Sequence, residues 1–130
     1  MEKIRYSYHF SLTLCFKDDV DVDKLEKHFN YVAYRKNFLK DSKAPRKVAK
    51  IWFRTQDYTD VNTDIVLENF LEKIYPNFAD LKEVLEKNNG SGYLTLYFTS
   101  AKERPIIGLT KKSIELLEKL GIEFEVDFRS

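Results

Sequence analysis

Glu123, Glu125 and Asp127 alternate with Phe124, Val126 and Phe128 near the end of the chain. Three carboxylates on every second residue have the chemistry of a hard-cation site, since Mg²⁺ and Ca²⁺ take several oxygen ligands. The spacing argues against it. Residues two apart on a strand lie about 6.6–7 Å apart, so one ion would need further ligands from a neighbouring strand. The other acidic run, DDVDVD at 18–23, lacks the glycine and terminal glutamate of an EF-hand loop. The expected role is a solvated sheet face, with Arg5 and His9 of another strand pairing the acids across the sheet. No metal site is assigned.

Nucleophilic chemistry has little support. Cys15 is the only cysteine, and His9 and His28 are the only histidines. They cannot form an internal disulfide or a zinc site of ordinary spacing, and no elbow turn presents Cys15. Four glycines are too few and too scattered for a phosphate-cradling loop. No catalytic residue and no cofactor is assigned, and the chain reads as a non-enzymatic protein.

Charge is segregated along the sequence. Between Arg35 and Arg54 lie Arg35, Lys36, Lys40, Lys43, Arg46, Lys47, Lys50 and Arg54 against Asp41 alone, interleaved with Tyr34, Phe38, Trp52 and Phe53. Basic side chains beside aromatic ones can hold a nucleic-acid strand by phosphate contact and stacking. Arg35, Lys36, Arg46, Lys47, Lys50 and Arg54 are the candidates. From Asp57 to Glu86 the balance reverses, with eight acids against Lys73 and Lys82. The net charge is +1, so mutual neutralisation of the two segments across the fold is the simpler expectation. Trp52, the sole tryptophan, is expected in the core, with a ligand platform as the alternative. Tyr93 and Tyr97 share a face with Thr95 and Thr99, which would suit a protein partner if uncovered.

The elements that must position these residues follow from periodicity. Ile4, Tyr6, Tyr8, Phe10, Leu12, Leu14 and Phe16 alternate with polar residues, which predicts a long strand with one buried face. Asp21 caps a short helix carrying Val22, Leu25 and Phe29. The stretch 31–47 is ambiguous and ends as a loop at Ser42 and Pro45. Residues 48–55 read as a strand with Ile51 and Phe53 on one face and Trp52 on the other. Leu67, Phe70, Leu71 and Ile74 mark a helix ended by Pro76. Asn77 caps the next, with Phe78, Leu81, Val84 and Leu85 inward, and Asn88–Gly90 stops it. Residues 92–100 form a strand, and 101–108 a loop. Thr110 caps a helix bearing Ile114, Leu117 and Leu120, which Gly121 stops. A final strand carries Ile122, Phe124, Val126 and Phe128. The order predicts an α+β two-layer sandwich, a mostly antiparallel sheet packed by helices, as a ferredoxin-like variant.

With 130 residues, 43% of them hydrophobic, residues 1–130 read as one domain able to bury its own core. The start of the chain lacks the continuous apolar segment of a signal peptide, and no run suits a membrane helix, so a cytoplasmic protein is expected.

Trp52 with Thr55, the helical stretch ending near Pro76, the strand YLTLYF, and Leu120–Gly121 leading into a strand with Asp127 resemble a bacterial domain-of-unknown-function family, number 4279. The resemblance covers roughly residues 8–128 and is specific from about Trp52 onward. It implies a small single domain and brings no catalytic residues. The function expected is binding of a protein partner, most concretely neutralisation of a toxin by an immunity-type protein, through Glu123, Glu125, Tyr97 and Trp52. The alternatives are a nucleic-acid-binding domain using residues 35–54 and a small-molecule sensor with a groove between sheet and helices.

Overall fold

A computed structural model describes residues 6–43, 45–74, 78–100 and 107–129. The elements run β1 (Tyr6–Phe16), α1 (Val22–Glu26), β2 (Arg35–Asn37), a 3₁₀ turn (Leu39–Asp41), β3 (Ala49–Arg54), β4 (Tyr58–Thr59), α2 (Thr63–Ile74), α3 (Phe78–Lys87), β5 (Gly90–Ser100), α4 (Lys111–Leu120) and β6 (Glu123–Arg129). The six strands form one open, mixed sheet of order β2-β3-β1-β5-β6, with β4 also on β1. All pairs are antiparallel except β5–β6. Helix α4 joins these two direct neighbours, so the parallel connection is not split by an intervening strand. The α+β class and the mostly antiparallel sheet are as the sequence predicts.

The period of two in β1 sorts the sheet into two faces. Phe10, Leu12, Leu14 and Phe16 share one face with Ile51 and Phe53 of β3 and Leu94, Leu96 and Phe98 of β5, all buried. Helices cover this face through Val22 and Leu25 of α1, Leu67, Phe70, Leu71 and Ile74 of α2, Leu81 and Leu85 of α3, and Leu117 and Leu120 of α4. The caps are local and specific. Asp21 accepts from the N–H groups of Asp23 and Lys24, and Thr110 from that of Ser113. Gly121 ends α4 in the left-handed conformation at φ 65°. Pro76, Asn77 and residues 101–106, to which the sequence assigns a helix stop, a cap and a loop, lie outside the described residues.

Three details differ from the expectation or sharpen it. The stop after α3 falls within Asn88–Gly90 as expected, at Asn89 with φ 51°, but β5 begins two residues ahead of the expected 92. Gly90 already belongs to β5, where an added Cβ would come within 3 Å of Phe16 and Leu85. On α4 the buried stripe is Ser113, Leu117 and Leu120, while Ile114 is 49% exposed. Ser113, whose hydroxyl accepts from that of Thr110 at 3.0 Å, takes the buried position of this turn, and Ile114 next to it faces outward. The stretch after Phe29 supplies a short edge strand, β2, fixed by Glu26. One Glu26 oxygen accepts from the Ala33 N–H at 2.7 Å and the other from Lys36 Nζ at 2.8 Å.

A bulge separates β3 from β4. Between the Ser11–Arg54 and Tyr8–Tyr58 pairs, β1 advances three residues and its partner four. The extra residue breaks the ladder. Thr55 repairs it: its N–H donates to the Phe10 carbonyl, its hydroxyl accepts from the Phe10 N–H at 3.0 Å, and that hydroxyl donates to the Gln56 carbonyl. Thr55 is buried, so Thr55→Val keeps the shape and strands the Phe10 N–H. Its expected cost is about 1–3 kcal/mol, read by urea denaturation.

Candidate functional site

The face turned away from the helices carries the side chains that alternate with the core. Across the strands, Arg35, Trp52, Thr13, Tyr93 and Glu123 form one row; Arg54, Ser11, Thr95 and Glu125 the next; His9, Tyr97 and Asp127 a third. A groove of about 380 Å³ opens on this face, lined by His9, Ser11, Tyr34, Arg35, Trp52, Arg54, Tyr97 and Arg129. This groove lies on the side of the sheet opposite the helices. Trp52 is not a core residue. It is half-buried on the open face, with Arg35 at 5.0 Å and Lys50 at 5.8 Å from its ring centroid.

Each groove arginine lies over an aromatic ring: Arg35 over Trp52, Arg54 over Tyr34 at 5.2 Å, and Arg129 over Tyr97 at 5.3 Å. Stacking uses the face of a guanidinium and leaves its N–H edge for a planar acceptor. Two resident carboxylates show what that edge takes. Asp57, delivered by the bulge, stands 3.3 Å from His9 Nδ1 and 3.6 Å from Arg54. Asp127 stands 3.5 Å from Arg129. These distances are long for charge-assisted hydrogen bonds, and the Asp57 side chain is 72% exposed.

His9 sits among these groups, stacked on Tyr97 at 4.9 Å and 24% exposed. Burial holds its pKa below the ordinary imidazole value, Arg54 and Arg129 add to the effect, and Asp57 opposes without reversing it. The unfolded chain therefore takes up this proton first. Stability from this group is complete above the ordinary value of about 6.5 and declines as pH falls from there toward the folded value. His9→Gln is expected to remove that part of the slope, measured as the urea midpoint at steps between pH 7.5 and 5.

The sequence candidates divide. Trp52, Tyr97, Arg35 and Arg54 meet in the groove, and Lys50 lies beside it on Trp52. Lys36 is turned to the helical side, where it pairs with Asp23 and Glu26 at 2.8 Å. Arg46 and Lys47 are exposed ahead of β3. Direct ion pairing between the basic and acidic segments is sparse among the described residues. Among the ion pairs of the described residues only Arg54–Asp57 joins them, while Glu72 of α2 pairs with Lys112 of α4 and Lys82 with Glu86 within α3. The segments mainly occupy different layers, the acids on helices and the groove arginines on the open face.

Glu123, Glu125 and Asp127 edge the same face on β6. Pairing with His9 across neighbouring strands is overturned because β5 lies between β1 and β6. The acids face Tyr93, Thr95 and Tyr97 instead, and Glu125 accepts from the Thr95 hydroxyl at 2.7 Å. Arg5 lies outside the described residues. Among the described residues no group of three or more His, Cys, Asp or Glu side chains converges as a metal site would require. Cys15 and His9 share this face but stand six residues apart on one strand, about 20 Å. Burial pushes the Cys15 thiol above its ordinary value, partly offset by Lys50, which makes the reactive thiolate scarcer.

Arg129, Ser11 and His9, assigned to no site from the sequence, and Tyr34, named there only as an aromatic of the basic segment, all line the groove. For Arg129 the signal was present: it continues the alternation of Glu123, Glu125 and Asp127.

The geometry defines an α+β domain with one helix-covered sheet face and one arginine- and aromatic-rich face that no described helix covers. The chain belongs to the family described as Domain of unknown function (DUF4279), whose model matches residues 6–130. No curated protein matches the chain, and no solved structure does. Among the described residues no helix is long and apolar enough to cross a membrane.

Proposed function

We propose that this is a non-enzymatic protein-binding module that recognises its partner with the open sheet face. The observation that carries the reading is the grouping of three arginine–aromatic pairs in one groove. Trp, Tyr and Arg are the residues that most often dominate the energy of protein interfaces. The face is also two-signed. Arg35, Lys50 and Arg54 lie toward β2 and β3, while Glu123, Glu125 and Asp127 lie along β6. A partner protein with complementary charges can satisfy both margins. A nucleic-acid strand crossing the sheet would meet the acids, which disfavours the nucleic-acid reading.

A toxin-neutralising immunity protein in the bacterial cytoplasm is the sharpest form of this proposal. The test is a tagged pulldown from the source lysate, with and without nuclease, using the native chain and Trp52→Ala. A stoichiometric protein that survives nuclease and is lost with Trp52→Ala is the expected result. Recovery of nucleic acid, or an empty pulldown, counts against it. Co-expression with the recovered protein then asks whether growth is rescued.

A further inference from the structure

We propose that the groove is a carboxylate site, which receives one acidic side chain of the protein partner while a neighbouring apolar or aromatic side chain of that partner lies on Trp52. This assignment rests on the protein-binding reading and names what the groove takes.

Three observations support it. First, two carboxylates already stand against arginines of the groove, Asp57 at 3.6 Å from Arg54 and Asp127 at 3.5 Å from Arg129. Both contacts are loose and neither carboxylate lines the groove itself, and the exposed Asp57 can be displaced to solvent at little cost. Second, each of the three arginines is placed over an aromatic ring at 5.0–5.3 Å, and a guanidinium is a planar fork suited to a carboxylate in two-point contact. Third, size and charge limit the occupant. A volume of about 380 Å³ is at the small end of ligand pockets, about 300–1,000 Å³, which suits one or two side chains. Asp57 and Asp127 offset two of the three arginines, leaving an excess suited to one negative charge.

Asp57 is then a competitor of the partner's carboxylate. Removing it should tighten binding, an effect that misfolding cannot imitate. Removing Arg54 should weaken binding.

The experiment uses the full chain, with Trp52 fluorescence as the signal, and two capped tripeptides, Phe-Asp-Phe and Phe-Asn-Phe, which differ only in the charge of the central side chain. Inorganic phosphate is titrated in parallel. The expected result is saturable binding of Phe-Asp-Phe at least about tenfold tighter than of Phe-Asn-Phe. Arg54→Gln or Arg129→Gln should abolish the difference, and Asp57→Asn should enlarge it by about threefold. Equal binding of the two tripeptides, no binding of either, or an unchanged preference in Arg54→Gln overturns the carboxylate assignment. Phosphate binding more tightly than Phe-Asp-Phe also overturns it and favours a phosphate-bearing ligand. The pulldown with Trp52→Ala distinguishes the two levels of failure: a Trp52-dependent protein partner together with no carboxylate preference removes this inference and leaves the protein-binding reading standing.

Discussion

Phe53→Ala is expected to destabilise the fold by about 3–5 kcal/mol, the range for removing a fully buried phenylalanine. Phe53 is 0% exposed. Its ring stacks on Phe29 at 4.4 Å and meets Tyr31 edge-on at 6.5 Å. Phe29 follows α1, and Tyr31 begins the stretch leading to β2, so Phe53 ties both to the sheet. The alanine cavity cannot collapse easily, because Leu12 lies opposite on the paired strand and is itself buried. Circular dichroism and urea denaturation would measure the loss. A change below about 1 kcal/mol would contradict the assignment of this face to the core.

Trp52→Ala, one residue away, should behave in the opposite way. Its side chain points to the other face, where Arg35 and Lys50 lie over it and no described helix packs. The fold should survive with near-native secondary structure. Affinity for the protein partner should fall by about 30-fold or more, the effect of losing a central aromatic contact worth at least about 2 kcal/mol. Titration calorimetry with the partner recovered by pulldown reads the change directly. Unchanged affinity would remove Trp52, and with it the groove, from the binding surface. Adjacent positions thus test the two faces separately: 53 reports on stability and 52 on recognition.

Much of this architecture is written in local patterns. The alternation from Tyr6 to Phe16 is legible because β1 is paired along its length and covered on one side only. Asp21, Thr110 and Gly121 are legible because capping is decided within a few residues. Strand β4 is too short, at two residues, to show a period. Ile114 misleads because the buried position of the first turn of α4 is filled by a polar residue, Ser113, hydrogen-bonded to Thr110. The groove is harder to see for a different reason. It assembles His9, Tyr34, Arg54 and Arg129 from separate strands and loops, and only the register between them brings them together. Asp57 joins them through a bulge that no local pattern announces. Trp52 as a large aromatic favours a core position, but its alternation with Ile51 and Phe53 sets it on the other face.

The separation of faces has a consequence for how such a chain can change over generations. Positions 51 and 53 keep the domain folded, while 52 and 54 face the groove. Every second codon of a central strand can therefore drift without disturbing its neighbours, since a strand sends successive side chains to opposite sides. A lineage carrying this fold can exchange one binding specificity for another by substitutions at alternate codons, with the interior left as it was.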